Sequence, residues 1–161
     1  MAAGTLHLEI VTPEGVQLVE EVSSLTAPSV DGQFGALPGH RPLLASLATG
    51  LISYTKAGQA EPEQVAVGSG YVEIHDDQAI VITERFCRKS DVDAVEVRQE
   101  LKDADRALDE FTDERNSARH AELVADELWA AARLELYGDP PPPTVRGYTE
   151  TRPIEDLFQG E

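Results

Sequence analysis

The sequence predicts a β + α protein: a β-sandwich over residues 1–90, an antiparallel two-helix hairpin over 91–137, and a Pro-rich acidic tail over 138–161. Three observations carry this reading. Glycine and proline punctuate the first 90 residues at short intervals, with Pro13, Pro28, Pro38, Pro42 and Pro62 among them. Residues 91–137 contain neither glycine nor proline. From Gly138 the composition changes again, and Pro140, Pro141, Pro142 and Pro143 follow in a row.

The first strand is Leu6–Val11, where apolar and polar residues alternate until Thr12-Pro13-Glu14-Gly15 signals a turn. Two β-rich runs follow, Val16–Val19 and Val22–Ala27. Further strands are expected at Leu51–Thr55, Gln64–Val67, Tyr71–Ile74 and Ala79–Thr83, the first three each closed by a Gly- or Asp-containing turn. Strands at intervals of about 8–12 residues belong to a sandwich or barrel. Burial of one face explains why Val72 and Ile74 alternate with Tyr71 and Glu73.

The first helix presents Val97, Leu101, Ala104, Leu108 and Phe111 along one stripe, the i, i+4, i+7 spacing of an amphipathic helix. In the second, Ala121, Val124, Leu128 and Ala131 form a stripe beside Ala125, Trp129, Ala132 and Leu136. Thr112-Asp113 and Asn116-Ser117 supply turn and cap residues, and Gly138 is suited to close the second helix before the prolines. The connector between the helices carries no helix breaker, so a hairpin and one long helix differ little in intrinsic propensity.

Charge and residue inventory exclude several functions. A net charge of −17 opposes nucleic-acid binding, which needs a basic face. A lone cysteine, Cys87, rules out an internal disulfide and a cysteine-cluster zinc site, and its position near Arg85, Arg88 and Lys89 does not by itself make it a nucleophile. His7, His40, His75 and His120 stand apart with no metal-ligand spacing, which counts against a metal-dependent jelly-roll enzyme. Neither a nucleophile elbow nor a P-loop is present. No apolar run approaches the roughly 20 residues of a membrane-spanning helix, and the opening residues lack signal-peptide character, so a soluble intracellular protein without direct membrane insertion is expected.

One segment stands out: Asp31 to Leu44, with three glycines and two prolines in an irregular, constrained loop whose apolar Phe34 and Leu37 either plug the end of the sandwich or serve a docking loop. Within it, Gly35-Ala36-Leu37-Pro38-Gly39-His40-Arg41-Pro42-Leu43-Leu44 closely resembles the loop of the epsilon subunit of bacterial F-type ATP synthases. Leu6–Pro13 is similar to that family's first strand, and Gly68-Ser69-Gly70-Tyr71-Val72-Glu73 to its glycine-rich strand start. The resemblance spans about residues 5–137 and leaves the tail, with Tyr148 and Ile154–Phe158, without a counterpart.

This resemblance implies a flattened, ten-stranded sandwich followed by the helical hairpin, in a non-catalytic subunit of the central stalk. Its implied partners are the gamma subunit, the ring of c subunits and the beta and alpha subunits of the catalytic head, on the cytoplasmic side of a bacterial membrane. It carries Gln33, Phe34, Leu37 and His40 to the side facing the c ring, with Gln33 where relatives often have glutamate. In many members the hairpin brakes ATP hydrolysis through basic residues, matched here by the stripe Arg98, Lys102 and Arg106. Six basic against 14 acidic residues in 91–137 make any such inhibition weak or conditional. Some members bind ATP through an Ile/Leu-Asp-x-x-Arg-Ala motif; the aligned stretch keeps Asp93 but has Glu96 in place of the arginine, so no cofactor is expected. The rival reading is a free-standing binding module whose hairpin recognises another helix.

Overall fold

The computed structural model describes residues 4–115 and 117–141. The chain divides between Val92 and Asp93 into two compact units. Among the described residues the first holds nine strands: β1 (Leu6–Thr12), β2 (Gly15–Ser29), β3 (Gly32–Ala36), β4 (Leu43–Leu47), β5 (Gly50–Lys56), β6 (Pro62–Val67), β7 (Gly70–His75), β8 (Gln78–Thr83) and β9 (Phe86–Arg88). Neighbours run β1-β8-β7-β4-β2-β5-β6-β9, with β3 and β1 also paired to β2. All pairs are antiparallel except β1–β8.

The long strand β2 explains how one hydrogen-bonded path makes two layers. Its first half pairs with β1, and its second half pairs with β3 and β5. Buried residues fall on Leu18 and Val22, then shift to Leu25 and Ala27. The shift follows from the pairing, in which Val22 and Ser24 oppose the adjacent residues Lys56 and Thr55. The extra residue, Ser23, bulges the strand, bends it and reverses which side chains face inward. Thus Val16–Val19 and Val22–Ala27, separate runs in the sequence reading, are one bent strand. Among the described residues the strands number nine, where the resemblance implies ten.

The core lies between the layers. Leu6, Leu8 and Ile10 of β1, Val72 and Ile74 of β7, and Ala79 and Val81 of β8 meet Leu25, Ile52, Tyr54, Val65 and Val67 from the other layer. Fully burying one such aliphatic side chain is worth about 1.5–3 kcal/mol. Where β2 crosses over, a polar group closes the margin. Lys56 Nζ lies 3.2 Å from Glu20 and 3.1 Å from Glu63, and the buried Tyr54 hydroxyl donates to Glu63 at 3.0 Å. Burial, reinforced by the hydrogen bond to Glu63, pushes the Tyr54 phenol up to about 12. The hydrogen bond from Lys56 holds Glu63 below the usual carboxylate range.

The second unit contains α1 (Ala94–Asp109) and α2 (Ala118–Tyr137), packed antiparallel. Asp93 caps α1 by accepting from the Val95 and Glu96 N–H groups. Ser117 caps α2 by accepting from His120 N–H at 3.2 Å; Asn116, read with it as a cap, lies outside the described residues. Gly138 closes α2 at φ 105°, donating to Glu135, while Asp139 N–H reaches back to Leu134, a Schellman closure. The tail beyond residue 141, including Tyr148 and Ile154–Phe158, also lies outside the described residues.

The expected stripe of α1 holds, with Val97, Ala104 and Leu108 buried and Leu101 and Phe111 half-buried. That of α2 needs correction. Ala131, Ala132 and Leu136 are buried, but Ala121 and Ala125 are exposed, and the regular buried stripe is Leu123, Glu127, Ala130 and Leu134. Its 4, 3, 4 spacing is helical, but an ionisable residue at its centre hides it from a hydrophobicity pattern. Across the hairpin, Arg98 pairs with Asp139 at 2.8 Å and Arg133 with Glu100. The Arg133 guanidinium lies 5.2 Å above the Trp129 ring, and Phe111 meets His120 near the connector.

Candidate interaction surface

The register of β4, β7, β8, β1 and the first half of β2 fixes what their layer presents outward. Ser46 stands opposite Tyr71, Tyr71 opposite Ile82, Ile82 opposite Val11, and Val11 opposite Val16. Tyr71, Ile82 and Val16 are 58%, 57% and 57% exposed, so this is an apolar row crossing the layer. The next row reads Leu44, Glu73, Ile80, Glu9 and Val19, with Leu44 72% exposed. Below it, Gln78 lies between His75 and His7, and His7 Nδ1 sits 2.6 Å from Glu21 Oε1. Hydrogen bonds from His7 and then Thr5 hold the Glu21 carboxyl below the usual carboxylate range.

Sequence reasoning reached one strand of this surface, the Gly68–Ile74 neighbourhood with Tyr71 and Glu73 opposite the buried Val72 and Ile74, and missed its continuation through Ile82, Val11 and Val16. Each of its apolar residues is an ordinary β-former, and single exposed aliphatics are common. Only the register collects them into a patch, the arrangement that marks an interaction site. One signal was available: the glycine-rich turn that precedes Tyr71. A Cβ on Gly70 would stand 1.9 Å from the Ile82 carbonyl oxygen, so β7 and β8 approach closely only because residue 70 is glycine. Thr83, buried beside it, has its hydroxyl 3.0 Å from the Gly68 carbonyl and fixes the same turn.

The segment Asp31–Leu44, read as one loop, is instead a strand, a six-residue loop and the start of another strand. Pairing to β2 draws Gly32–Ala36 into β3 despite its glycines, a case of tertiary context overriding propensity. The four candidate residues are thereby divided. Gln33 is exposed, while Phe34 faces the opposite way and packs against the core. Leu37, 62% exposed, and the half-buried His40 occupy the loop itself. That loop is anchored where Gly39 N–H donates to Asp77 Oδ1 at 2.6 Å. Asp76 and Asp77 form the two-residue turn between β7 and β8 at φ 48° and 59°, the left-handed geometry of a tight hairpin.

On the hairpin, Arg98, Lys102 and Arg106 are all exposed on one side of α1. Arg98 is engaged by Asp139, whereas Lys102 and Arg106 have no ion-pair partner among the described residues. Asp93, the retained residue of the degenerate ATP motif, spends its carboxylate on its own helix terminus, accepting at 3.0 and 3.2 Å. Glu96 follows at the third helical position, the spacing of a capping box. Cys87 is buried on β9 and its thiol lies 3.3 Å from the Arg88 carbonyl. Among the described residues, no group of three or more His, Cys, Asp or Glu is arranged to hold a metal, and no helix is long and apolar enough to cross a membrane.

A sandwich followed by two helices, with an apolar strip on one layer and an anchored loop beside it, suits a docking subunit. The β-sandwich domain of the ATP synthase delta/epsilon chain matches residues 5–89. The ATP synthase epsilon chain of Nitratidesulfovibrio vulgaris Hildenborough is 36% identical over 135 residues, covering 84% of this chain and 97% of that one. That of Moorella thermoacetica is 39% identical over 134 residues, covering 83% and 97%. The chain belongs to the ATP synthase epsilon-chain family. The fold is shared with a chain in the Euglena gracilis mitochondrial ATP synthase (OSCP, F1 and c-ring), at 20% identity and TM-score 0.61 over 86% of this chain and 81% of that one. It is shared too with one in the Tetrahymena thermophila mitochondrial central stalk and c-ring, at 12% identity and TM-score 0.55 over 85% and 99%.

Proposed function

We propose that this subunit works in the rotor of a proton-translocating ATP synthase. Its sandwich joins the gamma subunit to the c ring and couples proton flow to ATP synthesis without catalysing a reaction itself. The observation that carries this is the row of exposed Tyr71, Ile82 and Val16 around the half-buried Val11, on a layer whose inner face is already filled. Such a strip gains most by being covered, and gamma is the partner assigned to it. The loop with Leu37 and His40, together with Gln33 of β3, is assigned to the c ring, and Phe34 supports that loop from the core. The complex is held at the cytoplasmic side of a bacterial membrane through these protein contacts.

The hairpin is a conditional brake on ATP hydrolysis. Lys102 and Arg106 are its available cations toward the head, and the surrounding carboxylates keep the interaction weak. The docking assignment is tested by the affinity of the full chain for purified gamma. Tyr71→Asp with Ile82→Asp should lower it at least tenfold, since a charge in a desolvated contact is costly. Gln64→Ala, on an exposed position of the other layer, should leave it unchanged. Equal affinity of the double variant and the natural chain would remove the assignment.

A further inference from the structure

The apolar strip has a charge signature of its own. Glu73 and Glu9 flank Ile80 on either side in the second row, about 10 Å apart across two strand spacings. No lysine or arginine occurs anywhere in β1, β4, β7, β8 or the first half of β2. The basic residues of the unit, Arg41, Lys56, Arg85, Arg88 and Lys89, lie in the β3–β4 loop, on β5, or after β8. The layer therefore offers aliphatic and aromatic side chains with carboxylates among them and no lysine or arginine of its own: His7 is held by Glu21, His75 lies beside Asp76, and the Arg88 guanidinium reaches the layer at its edge, on the Gln17 carbonyl.

That combination selects among occupants. A second copy packed through a two-fold axis over these rows would set Glu9 and Glu73 against themselves or each other, with no lysine or arginine in the rows to neutralise them. Anionic lipid headgroups and nucleic acid are repelled for the same reason. Resting on the docking reading above, we infer that Glu9 and Glu73 form an electrostatic recognition row, and that the gamma surface covering it presents arginine or lysine opposite them beside an apolar strip. The apolar row supplies the buried area. The carboxylates set register and speed the encounter, which is what complementary charge does best at an interface.

The test measures affinity and association rate of the full chain for gamma from the same organism, between low and high potassium chloride. The natural chain should associate more slowly as salt rises, because screening weakens steering. Glu9→Gln with Glu73→Gln should lower affinity at low salt by roughly tenfold and flatten the salt dependence. Glu73→Lys should bind more weakly than Glu73→Gln. Thermal unfolding of each variant, unchanged from the natural chain, shows that the fold is intact. Salt-independent binding by the natural chain, or a Gln pair that binds like it, overturns the electrostatic row. Should Tyr71→Ala abolish binding in that case, the docking reading stands and only this inference fails; should Tyr71→Ala also bind normally, both fail.

Discussion

The two units of this chain are built on different physical terms. In the sandwich, strands far apart in sequence bring purely aliphatic and aromatic side chains into one core, and polar contacts close its margins. In the hairpin, neighbouring helices bury alanines, a few leucines and one carboxylate, Glu127, and are tied by partly exposed ion pairs. A unit of the first kind has one well-defined state, because each inward residue fits a single register. A unit of the second kind gains less from burial and depends more on its caps. The difference matches a rigid docking platform and an adjustable appendage.

The sharpest way to break the comparison is through Gly70. Gly70→Ala forces a Cβ into the Ile82 carbonyl and should cost the sandwich roughly 3 kcal/mol or more, read as a lowered denaturation midpoint with gamma binding lost. Alkaline titration comes next. An unfolded chain releases the Tyr54 proton near pH 10, whereas the folded chain holds it to about 12. The folded state binds more protons in that window, so stability should be constant below pH 10 and fall toward pH 12, by at most about 2–3 kcal/mol. Tyr54→Phe should remove most of this loss and leave the smaller part due to Lys56, whose ammonium the hydrogen bonds to Glu63 and Glu20 hold above the usual lysine range; denaturation curves at stepped pH would show it.

Smaller effects sharpen the hairpin side. Asp93→Ala removes the cap of α1 and should lower helix stability by about 1 kcal/mol, seen as a shift in thermal melting followed by circular dichroism. Calorimetry with ATP should show no tight binding to either form, and a submillimolar dissociation constant for the natural chain would contradict the reading of Asp93 as a cap alone. Arg98→Ala breaks an exposed pair and should cost under about 1 kcal/mol, the least of the series.

Much of this fold was legible because it obeys simple periods. The alternation of Leu6, Leu8 and Ile10 announces β1, and the Val97 to Phe111 stripe announces α1. The bend in β2 was not legible, since a single extra residue changes the inward set without any glycine or proline to mark it. β3 was hidden because Gly32 and Gly35 read as loop, and only pairing with β2 makes them strand. The stripe of α2 was masked by Glu127. The interaction surface was the least legible of all. Tyr71, Ile82, Val11 and Val16 come from four strands, and their adjacency exists only in the register.

The central claim is that the sandwich alone docks on gamma and the hairpin alone modulates the head. The most direct measurement reconstitutes the catalytic head with gamma, adds either the full chain or a chain ending at Val92, and follows both co-elution and ATP hydrolysis. Both forms should co-elute with gamma, and only the full chain should slow hydrolysis. Failure of either form to co-elute, or equal slowing by both, would contradict that division of labour.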